Sequence, residues 1–305
     1  MQWYQFFDKA TLAYVALVGV LMLLGDGLRV AHGPWILLSH AMVLLFLPLL
    51  IRQGSKPDAA RWLVGARHFY PALMFPLCYR ESEHLNQMFV RGYLDPGVIR
   101  LEEAVFGCQP SLVLMEAMPW LGVSELFYAA YFSFYVMVLG MGVYLYRSDR
   151  VRLAHYVSVT VTVFYGCYLC FIFLPIIGPR LFMGPVAGYA LPAGVMPLGA
   201  VDYPEGVTGG PMFLLMGFIY EHAEGAGGSV PSSHVAVAVC TVWFSFLYAR
   251  RIWCAHLMLV MLLCLSTVYC RYHYAVDVVA GLVAAAFLIP LGHWGHMRDV
   301  RGRSG

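Results

Sequence analysis

Long apolar runs alternate with short polar stretches along the chain, and the length of the runs predicts what they form. A helix crosses a bilayer with roughly 20 mostly apolar residues. Runs of this kind are Thr11–Gly25 (short, and extendable backwards), Pro34–Ile51, Ser124–Tyr146, Ala154–Leu174, Pro231–Ala249, Ile252–Cys270 and Val276–Trp294. Trp62–Tyr79 is weaker, because Arg67, His68, Pro71 and Pro76 interrupt it. With that run counted, the pattern predicts an all-α, polytopic membrane helical bundle of about eight transmembrane helices. The chain reads as a single integral membrane domain over residues 1–305. N-terminal spans occupy 1–61, the weak span and an outer segment 62–123, a helical core 124–294 and a tail 295–305.

Lysine and arginine in short loops mark the cytoplasmic side. If the N-terminus is cytoplasmic and the weak span crosses, that side holds Lys9, then Arg52, Lys56, Arg61 and Arg67. It also holds Arg147, Arg150 and Arg152, then Arg250 and Arg251, and the tail residues Arg298, Arg301 and Arg303. Arg29, Arg80, Arg91, Arg100, Arg180 and Arg271 fall on the other face. Omitting the weak span inverts every later loop and carries "YARR" outside, so the charge distribution favours counting it.

The outer face then carries two long segments, Arg80–Val123 and the Gly- and Pro-rich Pro175–Val230. Loops of this length in a compact protein are usually functional or disordered. Within the first, Leu94–Phe106 has Val98, Ile99, Leu101 and Val105 at helical spacing beside Arg100, Glu102 and Glu103. It predicts an amphipathic helix, either interfacial on the non-cytoplasmic side or packed on the spans.

Composition agrees with this picture. The 305 residues are 61% hydrophobic and 12% charged, with mean hydropathy +0.71, against about 25% charged residues in soluble domains. The net charge of +2 and the absence of a basic run give no reason to expect nucleic acid as a partner. The eight cysteines are scattered; Cys167 and Cys170 have redox-motif spacing but sit inside "FYGCYLCFIF", where membrane packing explains them. "MQWYQFFDKA" lacks the basic start and cleavage site of a secretory signal.

The topology gathers polar residues at one end of the membrane. In "RYHYAVDVV", His273 and Asp277 are four apart and share a helix face. A carboxylate on one imidazole nitrogen fixes the tautomer and leaves the other as nucleophile or base; a favourable acidic helix start accounts for the pair equally well. In "GGSVPSSHVAV", Pro231 suits the first helical position with Ser229 as cap, and Gly227 and Gly228 allow a tight turn. Ser232, Ser233 and the free N–H groups of the first turn form an anion site, beside which His234 can protonate a leaving oxygen. The plain alternative is a capped helix with an interfacial histidine. In "PIIGPR", Arg180 offers a planar fork for two phosphate oxygens, or anchors a lipid headgroup. Together these are the parts for phosphoryl transfer through a histidine nucleophile.

The ordered set Arg180, then Pro231 to His234, then Ser266 with His273 and Asp277, resembles the type 2 phosphatidic acid phosphatase superfamily of lipid phosphatases and phosphotransferases. That pattern runs Lys, six residues, Arg-Pro; Pro-Ser-Gly-His; Ser-Arg, five residues, His, three residues, Asp. "GPR", "EHLN", "LEEAVFGCQPSL" and "ELFYAAYFSFY" are more similar to the inositol phosphorylceramide synthase branch and its bacterial relatives. The chain departs from the pattern at Phe173 (for Lys), Leu181 (for Pro), Ser233 (for Gly) and Thr267 (for Arg). Arg271 lies one helical turn past Thr267 if the stretch is helical, and would then supply the missing guanidinium.

The resemblance implies that His273 forms a phosphohistidine, that Asp277 orients it, and that His234 protonates the leaving group and then activates the acceptor. Arg180 and Arg271, with Ser232 and Ser233, would hold the phosphoryl group. Glu81 and Asn86 are candidate headgroup contacts, or solvated loop residues. No metal or other cofactor is called for, since the acidic residues Glu81, Glu83, Glu102 and Glu103 are dispersed. The expected partners are membrane lipids: a phosphorylated-headgroup donor and a lipid or water acceptor, the latter making the protein a lipid phosphatase. A transporter would carry polar groups at the midplane of its spans, which here are nearly free of charge. A non-catalytic scaffold is hard to reconcile with intact His234, His273 and Asp277. The active site would face away from the cytoplasm, periplasmic in a bacterium and luminal in a eukaryote.

Overall fold

The structure is a computed structural model and describes residues 3–182, 203–223 and 228–304. Among these residues every regular element is a helix. The N-terminal part is α1 (Phe6–Leu24), α2 (Gly33–Gly54) and α3 (Arg61–Leu85). Two shorter helices follow, α4 (Asp95–Phe106) and α5 (Pro110–Ala117), then the long α6 (Leu121–Ser148) and α7 (Arg150–Phe173). The second outer segment holds α8 (Pro179–Phe182), α9 (Glu205–Thr208) and α10 (Pro211–Ala223). The chain closes with α11 (Ser233–Tyr248), α12 (Trp253–Tyr269) and α13 (Ala275–Ser304).

This is an all-α polytopic bundle. By length and composition, α1, α2, α6, α7 and α13 can each cross a membrane. The other three predicted spans are also helices of the bundle. α11 and α12 are apolar but shorter, and α3 has 25 residues and lower apolarity. The weak span is thus a complete helix that accommodates Pro71 and Pro76. α10 is an apolar helix within the second outer segment, where the sequence pattern predicted only a loop.

Long helices alternate in direction, as the bonds at the two ends show. At one end Arg91 pairs with Asp26 (2.8 Å), Leu94 N–H donates to Pro175 C=O (2.8 Å) and Tyr269 O–H donates to Met118 C=O (2.8 Å). At the other end Arg67 pairs with Asp8 (2.5 Å), Lys9 with Asp299 (2.5 Å), and His155 meets the Tyr248 hydroxyl (2.8 Å). α7 is the central helix and packs on α1, α3, α6, α11 and α13. Lipid tails are as apolar as leucine, so close packing rather than hydrophobic burial holds such helices together. Accordingly Gly166 sits against Leu288, and Gly292 lies on Val159, where an added Cβ would come within 3.0 Å of the Val159 Cα.

α4 confirms the predicted helix and packs on the segment after α7, on α8 and on the start of α13. Val98 and Ile99 are buried with Ile176, Ile177, Phe182 and Tyr274, while Leu101, Val105 and Phe106 are exposed. The alternation is testable with single cysteines in a cysteine-free background. Positions 56 and 148 should label from one face of the membrane and position 91 from the other. Labelling of 56 and 91 from the same face would overturn it.

Candidate active site

Three segments meet where α7 stops and α11 and α13 start. α7 ends just before Pro175, a residue that disfavours helix in its predecessor. The chain then turns at Gly178 (φ +88°), where a Cβ would meet Tyr272 C=O at 2.7 Å, so this close approach needs glycine. Backbone bonds stitch the segments together: Ser229 N–H to Ile176 C=O (2.7 Å), Arg180 N–H to Arg271 C=O (2.7 Å) and Ser232 N–H to Asp277 C=O (3.2 Å). The three motifs far apart in sequence are therefore one hydrogen-bonded unit.

The helix start at the second motif differs from expectation. α11 begins at Ser233, two residues later than predicted, and its cap is Ser232, whose Oγ accepts Val235 N–H (3.4 Å). Pro231 follows a cis peptide bond. Ser229 is not the cap: it lies four residues before the helix, and its N–H donates to Ile176 C=O. Gly228 packs directly on Phe171, leaving no space for a side chain; Gly227 lies outside the described residues.

The third motif also departs from expectation. α12 stops at Tyr269, and Arg271 adopts a left-handed backbone (φ +59°), so no helical turn links it to Thr267. Thr267 is buried; its hydroxyl donates to Cys264 C=O (2.9 Å), and its own carbonyl accepts Tyr272 and His273 N–H (3.0 Å each). This reversal brings Arg271 beside Arg180 by another route. The Arg180 guanidinium lies 4.2 Å over the Tyr220 ring and 5.5 Å over Tyr272, and Arg271 lies 5.0 Å over Tyr203. Such ring faces attract cations, so the two arginines share an aromatic shelf, with Tyr220 and Tyr272 stacked at 4.1 Å.

His273 is buried. Its Nδ1 faces Asp277 Oδ2 (3.3 Å) and its Nε2 faces Ser232 Oγ (3.2 Å). The carboxylate accepts only, so it assigns the proton to Nδ1 and leaves the Nε2 lone pair to accept from the Ser232 hydroxyl. The carboxylate is held in turn by Tyr274 N–H (3.0 Å). The His234 ring stands 5.9 Å from that of His273, roughly perpendicular, and its Nε2 lies 3.1 Å from Tyr131 O–H. Tyr131 and Tyr220 share a hydrogen bond of 2.8 Å, which ties His234 to the aromatic shelf. Ser233 is buried at the start of α11 beside His234. Glu81 stands apart from this group. Glu81 bonds His40 Nε2 (2.9 Å) and Ser39 Oγ (3.4 Å) on α2, and Asn86 is buried at the end of α3.

Sequence reasoning missed two residues that hold the site, and Tyr131. Asp95 accepts Ile177 N–H (3.1 Å), Gly178 N–H (3.0 Å) and Tyr274 O–H (3.0 Å). Glu102 accepts Ala275 N–H (2.5 Å) and Val276 N–H (3.3 Å) at the start of α13. One face of α4 thus clasps the turn before Arg180 and the helix start that carries Asp277. The signal was present: Asp95, Val98, Ile99 and Glu102 follow the i, i+3, i+4, i+7 spacing of a single helix face. Burial, the larger influence in both, pushes the two carboxyls up to about 7, against the lowering by their N–H partners.

With this geometry in hand, comparison by sequence is decisive for the family. Residues 97–291 match the PAP2 superfamily. The chain belongs to that superfamily. It is therefore an integral membrane protein of a lipid phosphatase or phosphotransferase type, with membrane lipids as partners. The match begins inside α4 and ends inside α13, so the helices α1–α3 lie outside it. No curated protein and no solved structure matches the chain.

The carboxyl clasp predicts opposite pH responses for activity and stability. Between about 4, where these groups titrate in an unfolded chain, and about 7, the folded protein keeps protons that the unfolded chain has released. Rising pH in that window therefore lowers stability. Ionisation strengthens the N–H bonds that Asp95 and Glu102 accept, so turnover should rise through about pH 7. Asp95→Asn should flatten that rise and lower turnover about 10- to 100-fold, from ~1.5–3 kcal/mol for a hydrogen bond to a charged group. An unchanged pH profile in the variant would show that Asp95 does not position the site.

Proposed function

We propose that this PAP2 superfamily protein moves a phosphoryl-headgroup between membrane lipids through a covalent phosphohistidine on His273. The observation that carries this reading is the chain from Asp277 through His273 to Ser232, with His234 5.9 Å away across the rings. Asp277 holds the Nδ1 proton, and Nε2 attacks phosphorus as the bond to the donor's leaving oxygen breaks. His234 gives that oxygen its proton. In the second half, His234 takes the proton of an acceptor hydroxyl, whose oxygen attacks phosphorus as the N–P bond breaks. Arg180 and Arg271, with Ser232, Ser233 and the first-turn N–H groups of α11, bind the phosphoryl oxygens; such donors are typically worth ~3 kcal/mol each in the transition state.

A lipid acceptor is favoured over water by the surroundings. The Tyr131 ring packs on His234 and on Tyr272, Tyr272 stacks on Tyr220, and His273 is buried. Resemblance to the inositol phosphorylceramide synthase branch supports the same choice and suggests a sphingolipid-type acceptor. The distribution of Lys and Arg supports a site on the non-cytoplasmic face.

Incubating the purified protein with labelled lipid extract, with and without acceptor lipid, tests the reaction. A new phospholipid made only with acceptor is expected; a free headgroup phosphate or inorganic phosphate would make the protein a phosphatase, and no product would point to a transporter or scaffold. Replacing His273 should abolish the covalent phosphoenzyme. His234→Ala should slow the reaction about 10²- to 10⁴-fold, with rescue by a donor carrying a better leaving group. Loss of all intermediate in the His234 variant with an activated donor would exchange the two roles. Vanadate should compete with lipid, and Arg180→Ala should weaken its binding while the protein stays folded; unaltered vanadate affinity would remove Arg180 from the phosphate site.

A further inference from the structure

An apolar groove of about 290 Å³ leads away from the candidate site into the bundle. It begins at Ser233 and His234, has α3 and α6 as walls, and has α7 as its floor. On α3 it reaches from Tyr79 to His68, about 16 Å of helix at 1.5 Å per residue, which is about half the ~30 Å hydrocarbon core of a bilayer. Two of the polar side chains along it are engaged elsewhere. His68 Nδ1 bonds Val64 C=O (2.7 Å), and the Tyr156 hydroxyl bonds Val138 C=O (3.0 Å) and Thr241 (3.1 Å). The rest of the wall is mostly hydrocarbon.

The groove has an opening and a stop. Pro76 of α3 and Leu139 of α6 both line it and are exposed on the outer surface of the bundle, so it opens sideways. At its far end the two walls meet: the Tyr146 ring contacts His68 (5.6 Å) and Phe69 (5.0 Å), under the Arg150 guanidinium (4.8 Å). α3 lies wholly outside the superfamily match, so this wall is supplied by the chain's own N-terminal helices.

We propose that this groove holds one alkyl chain of the lipid whose phosphate is processed at His273, and that the His68–Phe69–Tyr146 contact sets the longest chain accepted. The proposal rests on the reading of the site given above. An empty apolar cavity forfeits dispersion contacts along its lining, and a chain from the surrounding bilayer restores them. Continuity with His234 singles out the substrate's own chain, because only that occupant places a phosphoester at the groove's polar end. Selection then works by shape: all chains are equally apolar, and one that reaches the stop must fold back or leave the groove.

The test uses the full-length protein in mixed micelles. The probes are phosphatidic acid and phosphatidylinositol with chains from dioctanoyl to dioleoyl, and versions with a photoreactive diazirine at one chain end. Photolabelling should map to residues 68–79 of α3 and 138–142 of α6. A Cβ at Gly142 would meet only Tyr156 Cε1, at 3.9 Å, so Gly142→Leu is tolerable and fills the groove; Ala72→Leu is a second variant on the other wall. Each should reduce kcat/KM for dioleoyl relative to dioctanoyl lipid by at least about tenfold, while Tyr146→Ala should extend the accepted length. Labels that map elsewhere, or variants that affect all chain lengths alike or not at all, would overturn the proposal. If the wild type turned over none of these lipids, the reading of the site would fail, and the position of the photolabel would still decide whether the groove holds a chain.

Discussion

Backbone groups at a helix end have no partner within the helix, and water is scarce where helices end at or inside a bilayer. The structure meets that constraint with three buried carboxylates. Asp277 takes Tyr274 N–H, Glu102 takes the first two N–H groups of α13, and Asp95 takes the two N–H groups of the turn after α7. Asp95 and Glu102 join segments distant in sequence, so satisfying the backbone and assembling the site are one event. The same Asp277 that closes the start of α13 also holds Nδ1 of His273, and its carbonyl takes Ser232 N–H at the start of α11.

From that junction follows the geometry of the candidate site. Ser232 is both the cap of α11 and the partner of His273 Nε2, so the helix cannot start elsewhere without releasing the histidine. The reversal at Arg271 returns the chain from α12 to α13 and leaves Arg271 C=O facing Arg180 N–H. Aromatic rings then fix what the backbone does not. Tyr220 reaches the site because Glu125 of α6 accepts Met212 and Phe213 N–H (2.7 and 3.1 Å) and so pins the start of α10. A site preorganised in this way needs little reorganisation when charge develops on a transferred phosphoryl group.

The three N-terminal helices are part of the same packed body. α1 and α3 lie on α7, and the buried set of Asp8, Arg67 and Tyr70 ties the starts of α1 and α3 together at the end remote from the site. A buried charge is costly unless paired and hydrogen-bonded, which explains why an arginine inside the weakest apolar run is tolerated. The polar interruption that made this run hard to recognise as a span is the device that anchors it, and the anchored helix supplies a wall of the groove leading from His234.

Much of this was readable from the linear sequence. Apolar run length determined the all-α membrane bundle, and the residue types and spacing at Arg180, His234, His273 and Asp277 marked the candidate site. These are local properties: hydropathy acts over one span, and the His273–Asp277 pairing over one helical turn. The exact start of α11 and the placement of Arg271 were not readable, because the bonds of Ser232 to Asp277, Ser229 to Ile176 and Arg180 to Arg271 cross the fold, and the end of α12 is set by an irregular turn onto Thr267 C=O. Glu102 read as a polar residue of an amphipathic helix and Asp95 was not singled out, yet both are buried against segments up to 179 residues away. The sequence by itself determined which side chains are available and which end of the bundle they occupy. Only the tertiary structure decided how they are oriented, since in a water-poor interior each polar group takes whichever partner the packed helices bring within reach.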